Sequence, residues 1–274
     1  MPGDAELLIA ARSALLDALD ALKAHAANIV VIGAQAIHLR TNDIDLALAP
    51  LTKDADVAVD SRGLSGDPRV EDALSAAGFY PDPDNQQPGA WCSPSGLPVD
   101  VMVPEALAGP SASQRRGARL PPHANSSMRR AEGLEAVVID RSPLSITALD
   151  ANDSRVMTAS VAGHAGLIVA KLHKFGERIG DPGRLKDKDA HDVYRLFVAL
   201  PAPELAGVFR RLLDHDVSAA ATEKALDYLR RDFTRADAVG ATRAGRAEQG
   251  VGDPAQVREA VAAMATQLLA TTVG

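Results

Sequence analysis

Residues 54–60 read Asp-Ala-Asp-Val-Ala-Val-Asp, which combines paired carboxylates with an alternating apolar pattern. Side chains on a β-strand alternate between faces, so Asp54 and Asp56 share one face about 7 Å apart, and the apolar residues point to the other face, into a core. Two neighbouring carboxylates repel each other unless a cation lies between them, and Mg²⁺ is commonly held by one or two carboxylates plus substrate phosphates. The stretch therefore predicts a strand that carries a divalent-cation site.

A second strand with an acid on the same kind of face is predicted at residues 97–103, where Asp100 lies between two valines. If the two strands are neighbours, Asp100 completes a triad with Asp54 and Asp56. Three carboxylates on adjacent strands can hold two metal ions, which clamp the attacking and leaving oxygens of an in-line phosphoryl displacement. The alternative interpretation is that these acids lie on the solvated face of a sheet.

A strand–glycine–helix turn precedes this pattern. Residues 28–32 predict a short buried strand, Gly33 ends it, and residues 34–40 have the composition of a helix. Other elements are predicted around the turn: a helix at 4–25, a helix at 67–77 closed by Gly78, a loop at 81–94, and strands at 135–139 and 144–149.

The second half of the chain has helical periodicity almost throughout. The predicted helices span 161–178, 186–200, 204–213, 218–232 and 254–270. We therefore expect an α+β fold, in which residues 1–150 form an α/β domain with a mixed sheet and residues 151–274 form a helical domain.

Composition narrows the classes of function. Aromatic residues make up only 3% of the 274 residues and the net charge is −7, which argues against a single-strand nucleic-acid binder that stacks bases and against a non-specific polyanion binder. A single cysteine excludes a disulfide framework and a thiolate zinc site. The first residues include acids and no run of 18 apolar residues occurs, so we expect a cytoplasmic protein without a membrane span.

An arginine-rich window lies between Glu105 and Glu132, where no acid occurs. Its arginines are Arg115, Arg116, Arg119, Arg129 and Arg130. Two interpretations stay open at this point: contact with an RNA acceptor or with nucleotide phosphates, or a mobile, solvated loop.

A cationic face is predicted on the helix at 161–178. Lys171, Lys174 and Arg178 are spaced i, i+3 and i+7, so they share one face. Such a face can neutralise the charge that develops on a departing pyrophosphate; a solvated charged helix face is the alternative.

Three motifs, taken in order, resemble the DNA polymerase β-type nucleotidyltransferase superfamily. They are residues 32–36 (Ile-Gly-Ala-Gln-Ala), 54–57 (Asp-Ala-Asp-Val) and 99–101 (Val-Asp-Val). Residue 34 is alanine where that superfamily usually has glycine or serine, so the backbone approach is kept and a hydroxyl donor is lost.

Motifs in the second half look like the helical part of the AbiEii/MenT-like nucleotidyltransferases, which are toxins of bacterial toxin–antitoxin and phage-defence systems. These motifs are residues 171–174 (Lys-Leu-His-Lys), Arg178 and residues 188–196 (Lys-Asp-Ala-His-Asp-Val-Tyr-Arg-Leu). The resemblance covers roughly residues 28–200.

The resemblance implies a fold and the first part of a site. The fold would be a polymerase β-type nucleotidyltransferase core followed by a helical C-terminal half. Asp54, Asp56 and Asp100 would be the catalytic metal ligands of a two-metal Mg²⁺ site, and Gly33 and Ala34 would let the backbone approach the triphosphate of an NTP substrate.

The resemblance also implies roles for residues of the helical half. Lys171, with Lys174 and Arg178, would bind the triphosphate, and Asp189 would orient Lys171 or the acceptor hydroxyl. Lys171 and Asp189 are therefore expected to be catalytic. The acceptor hydroxyl would attack the α-phosphorus; by analogy it belongs to a tRNA 3′ end, and a cognate antitoxin protein is an expected partner.

Alternatives to these assignments remain. Asp43 and Asp45 form a second Asp-x-Asp pair that lies closer to Gly33 along the chain. The acceptor could instead be a small hydroxyl-bearing molecule such as an antibiotic. A module of the same fold that binds nucleotide or protein without catalysis is the third alternative, which Ala34 supports.

Overall fold

The structure is a computed structural model that describes residues 4–41, 54–110, 116–181 and 183–273. The chain divides into two compact units. The sheet unit comprises Met1–Leu39, Leu51–Leu134 and Arg141–Ala162, and the helical unit comprises Arg40–Pro50, Glu135–Asp140 and Gly163–Gly274.

The sheet unit contains one mixed sheet. Its strands within the described ranges are β1 (Ile29–Ile32), β2 (Ala55–Val59), β3 (Tyr80–Pro81), β4 (Ala90–Cys92), β5 (Pro98–Pro104), β6 (Arg129–Ala131), β7 (Arg141–Thr147) and β8 (Val156–Ala162). The strand order is β3-β4-β5-β2-β1-β8-β7, and β6 also pairs with β5. β5 runs parallel to β2 and to β6, whereas β1 and β2 are antiparallel.

The core of this unit lies on one face of the two central strands. Ala55, Val57 and Val59 of β2 are fully buried, and so are Val99 and Val101 of β5. The first helix, α1 (Asp4–Ala21), packs against both strands. Burial of these apolar side chains fixes which face of each strand is left for the polar residues between them.

Two further helices belong to the first part of the chain, α2 (Gly33–Thr41) and α3 (Val70–Ala76). The helical unit then contains α4 (His164–Arg178), α5 (Asp187–Ala199), α6 (Ala202–Leu213), α7 (Ala219–Phe233), α8 (Val239–Ala247) and α9 (Pro254–Val273). The predicted α+β class, with a mixed sheet and a mostly helical C-terminal half, is confirmed. Across the described ranges, no helix combines the length and apolar composition needed to span a bilayer.

Several predicted elements were wrong. Residues 135–139 form turns rather than a strand, with the amide groups of Ile139 and Asp140 donating to the carbonyl of Ala136. A short buried apolar run has no periodicity that separates a strand from a buried turn. Strand β8 was not predicted, so the helix expected from residue 161 begins only at His164. The predicted loop at 81–94 contains β4, and α8 was missed.

Candidate functional site

A pair of carboxylates lies on the polar face of the two central strands. Asp56 of β2 and Asp100 of β5 are direct partners in the parallel register, so their side chains project from the same face. Both are half-buried, whereas the apolar residues that flank them in sequence are buried on the opposite face. The strands of the two predicted acidic motifs are therefore neighbours. We call Asp54, Asp56 and Asp100 the carboxylate face.

Gly33 lies directly against this face. Its φ is +66°, and a Cβ built at this position would lie 2.0 Å from Oδ2 of Asp56. Both the backbone conformation and the lack of space therefore require glycine. Ile32, the last residue of β1, pairs with Asp56, so the turn into α2 begins beside the carboxylate, and Ala34 follows as the second residue of α2.

The predicted three-carboxylate metal site is not assembled among the described residues. Asp54 directly precedes β2 and is half-buried. Within the described ranges, no group of three or more histidine, cysteine, aspartate or glutamate side chains is arranged to hold a metal ion. The alternative pair, Asp43 and Asp45, lies outside the described residues.

Asp100 is already paired with a cation. Nη2 of Arg129 donates to Oδ2 of Asp100 at 2.7 Å and contacts Sδ of Met102 at 3.2 Å. Nη1 of Arg129 donates to Oε1 of Gln87 at 3.1 Å, and Arg116 donates to the same oxygen at 3.3 Å. Sequence reasoning missed the Arg129–Asp100 contact, because the two residues are 29 positions apart and the segment between them contains no local signal for the pairing of β5 with β6.

The neighbouring Arg130 is held by the protein in a different way. It donates to Oε1 of Glu105 at 2.9 Å and to the carbonyls of Ala108 and Gly109 at 3.0 and 2.9 Å. Together with Arg116 and Arg129, it has protein partners, so these three arginines of the window are engaged within the sheet unit. Arg115 lies outside the described residues.

Asp60, the last acid of residues 54–60, is held in ion pairs with two arginines. Asp60 accepts from Nε and Nη2 of Arg62 at 2.8 and 2.7 Å, and Nη2 of Arg141 lies 3.3 Å from its Oδ2. Burial by itself would raise the pKa of Asp60, but the two arginines outweigh burial and the pKa is lowered. Both carboxylate oxygens of Asp60 thus accept hydrogen bonds from arginines, whereas Asp100 on the next strand accepts one such bond at one oxygen.

An ion cluster forms the second predicted region, within the helical unit. Nζ of Lys171 on α4 lies 3.0 Å from Oδ1 of Asp189 and 2.7 Å from Oδ2 of Asp192, both on α5. The side chains of these three residues are only 9%, 4% and 5% exposed. Helical spacing places Asp189 and Asp192 on one face, so a single lysine contacts both. We call these three residues the ion cluster.

The pairing within the cluster shifts the pKa values of Lys171 and Asp189 in the directions that favour their charged forms. Burial alone would lower the pKa of Lys171, but Asp192 and Asp189 outweigh it and the pKa is raised. Burial alone would raise the pKa of Asp189, but Lys171 and Lys174 outweigh it and lower the pKa to about 2. Lys171 and Asp189 therefore remain charged near neutral pH.

The other predicted cations lie at the edge of this cluster. Nζ of Lys174 is 3.4 Å from Oδ1 of Asp189, and Nη1 of Arg178 is 3.4 Å from Oδ2. Their side chains are 44% and 23% exposed, so they reach solvent while Lys171 does not. Asp189 is therefore the shared partner of the whole predicted basic face, which the sequence placed on one side of α4.

Lys188 was not singled out by the sequence. Its Nζ is buried without a hydrogen-bond partner, and burial, together with Lys171 and Lys174, lowers its pKa despite Asp192 and Asp189. The only available signal was its position beside Asp189 in the motif at 188–196, which gives no indication of burial.

Comparisons of the chain with models of known protein families, with curated protein sequences and with solved structures give no match. A functional assignment accordingly depends on the motif residues and on the geometry of the two regions described above.

Proposed function

We propose that this protein is a Mg²⁺-dependent nucleotidyltransferase, which transfers a nucleoside monophosphate from an NTP to an acceptor hydroxyl and releases pyrophosphate. The observation that carries the proposal is the alignment of Asp56 with Asp100 on neighbouring parallel strands, with Gly33 packed against Asp56. A strand–glycine–helix turn beside two aligned carboxylates is the local arrangement that the motif resemblance implies.

The residues of the carboxylate face fit a divalent cation. They offer oxygen ligands, which Mg²⁺ prefers, and two carboxylates plus substrate phosphates are a common ligand set for this ion. The position next to Asp100 already holds a positive charge, the guanidinium of Arg129. Asp54 and Asp56 would hold the ion, together with Asp100 where Arg129 releases it. A bound Mg²⁺ would neutralise phosphate charge and orient the reacting oxygens.

The chain's own residues would supply the remaining steps. The Gly33 turn would admit the triphosphate close to the backbone at the start of α2, where amide groups carry partial positive charge. The motif resemblance assigns phosphate contacts to Lys174 and Arg178, which are the partly exposed cations of the basic face within the helical unit. Buried Lys171 would act as a positioning residue that fixes Asp189, and through it the two exposed cations.

The acceptor we propose is a tRNA 3′ end, in the role of a toxin controlled by an antitoxin protein; this step rests on the motif resemblance. One observation favours a second candidate, a small hydroxyl-bearing molecule. Arg116, Arg129 and Arg130 are engaged with groups of the sheet unit, which leaves these cations less available to an RNA backbone.

The test uses purified protein with Mg²⁺ and each α-labelled NTP in turn, with either total tRNA or a set of hydroxyl-bearing small molecules. Wild type and Asp56→Asn would be compared with Asp20→Asn, which removes the same charge at an exposed position of α1. We expect label transfer by wild type and Asp20→Asn, and a loss of about 100-fold or more in Asp56→Asn, equivalent to about 2.7 kcal/mol of barrier.

The three possible results separate the candidates. Label in tRNA supports the toxin role, and label only in a small molecule supports the second candidate. No Asp56-dependent label with any acceptor and nucleotide contradicts nucleotidyl transfer and leaves the fold as a non-catalytic binding module.

A further inference from the structure

The contact between Arg129 and Asp100 differs from the pair that Arg62 forms with Asp60 at the end of the neighbouring strand. It is monodentate, with one N–H donating to one oxygen at 2.7 Å, and the Asp100 side chain is 25% exposed. By contrast, Arg62 binds both oxygens of Asp60, whose side chain is 5% exposed.

The position of Arg129 is set by backbone packing rather than by Asp100. Arg129 pairs with Met102 in the parallel register of β6 and β5. Gly89 has a φ of +75°, and a Cβ there would lie 2.6 Å from the amide nitrogen of Arg129 and 2.2 Å from the carbonyl oxygen of Val101. This close approach keeps the preceding Gln87 next to Arg129, whose Nη1 it binds.

We propose that Arg129 is an internal counter-ion of Asp100 that a divalent cation displaces from the carboxylate face. The inference rests on the metal site of the proposed function and is independent of the acceptor. In the absence of metal, the guanidinium neutralises Asp100 beside Asp56; when the ion binds, Asp100 becomes its ligand and Arg129 stays attached to Gln87.

Charge and exposure favour this exchange. A divalent ion between Asp56 and Asp100 interacts with both carboxylates at twice the charge of a guanidinium. The exchange breaks one N–H···O bond, and both side chains keep partial contact with solvent, 17% of Arg129 and 25% of Asp100. The bond to Gln87 keeps the released guanidinium hydrogen-bonded.

The experiment measures Mn²⁺ binding to the full-length protein by titration calorimetry, with Mn²⁺ as the probe for the divalent site. Arg129→Gln removes the competing charge and should bind Mn²⁺ about fivefold more tightly than wild type, because the ion no longer has to break an ion pair. Arg69→Gln, which removes the same charge from an exposed pair with Asp72, should leave the affinity within about twofold of wild type, as expected for a charge that solvent screens.

Two further variants keep the test decisive. Arg129→Met retains the apolar stem beside Met102 and should give the same gain if the glutamine variant fails to fold. Arg129→Lys restores the charge and should return the affinity toward that of wild type. An unchanged or weaker Mn²⁺ affinity in the charge-removing variants overturns the proposal, as does the absence of Mn²⁺ binding in all of them.

The failure of this inference is distinguishable from that of the proposed function. Tighter Mn²⁺ binding in the charge-removing variants, without label transfer by wild type, would support the counter-ion role of Arg129 and contradict the transferase activity. Asp56-dependent label transfer with unchanged Mn²⁺ affinity would retain the transferase and make Arg129 a structural residue only.

Discussion

The carboxylate face and the ion cluster contain the same chemical groups in different surroundings. In the ion cluster, Asp189 and Asp192 are almost fully buried and share the ammonium group of Lys171. On the carboxylate face, Asp56 and Asp100 are half-buried, and Asp100 receives a single N–H from Arg129.

This difference indicates which carboxylates can take a new ligand. Buried carboxylates that share a buried cation cannot exchange it without leaving uncompensated charge, so they fix the packing of α4 against α5. The Asp100 side chain is 25% exposed and bound by one N–H, so it can exchange that partner by breaking a single contact. The carboxylate face is therefore suited to bind an ion, and the ion cluster to position neighbouring cations.

The largest expected effect comes from removing the central cation of the ion cluster. Lys171→Met leaves two buried carboxylates without their shared partner and should lower the free energy of unfolding by about 3–5 kcal/mol. Urea denaturation measures this change. Lys174→Met is the matched control, because its half-exposed ammonium group should contribute about 1 kcal/mol or less. Equal losses in the two variants would contradict the distinction between buried and exposed cations.

The same cluster should make stability depend on acid pH. The folded-state pKa of Asp189 is lowered to about 2, so its stabilisation is fully present above its unfolded pKa and is lost as the pH falls toward 2. Relative to an unfolded pKa of about 3.9, this corresponds to about 2–3 kcal/mol between roughly pH 5 and pH 2. Denaturation at a series of pH values measures it. Asp189→Asn should flatten this acid limb, and an unchanged slope would place the pH dependence elsewhere.

The carboxylate face should be sensitive to the glycine beside it. Gly33→Ala combines a strained positive φ with a clash against Asp56 and should cost about 2 kcal/mol, whereas Gly96→Ala should cost about 1 kcal/mol from strain alone. Gly96 has a φ of +80° and only an ordinary contact of 3.7 Å to the hydroxyl of Tyr80. Gly33→Ala alone should also weaken Mn²⁺ binding, because it displaces Asp56. If both variants lost the same stability and kept the same Mn²⁺ affinity, Gly33 would have no role in the metal site.

The sequence predicted the parts of both regions that depend on local periodicity. Alternation in residues 54–60 placed Asp56 opposite the buried valines, and helical spacing placed Lys171, Lys174 and Arg178 on one face of α4. Local periodicity does not determine which strands are neighbours. The sequence could therefore place Asp56 beside Asp100 only on the assumption that β2 and β5 pair, and the register of the sheet supplies that pairing.

The parts that could not be predicted depend on tertiary packing. Helical spacing does not distinguish buried Lys171 from exposed Lys174, because burial is decided by where α5 packs. The contact of Arg129 with Asp100 depends on the parallel pairing of β5 with β6.

Metal-directed cleavage tests the central claim most directly. Fe²⁺ bound in place of Mg²⁺, with ascorbate and hydrogen peroxide, generates radicals that cut the backbone next to the bound ion, and mass spectrometry locates the cuts. We expect cleavage near residues 54–56 and near residue 100, and its loss in Asp56→Asn. Cleavage that does not depend on Asp56, or no cleavage near either strand, would contradict the assignment of the metal site to the carboxylate face.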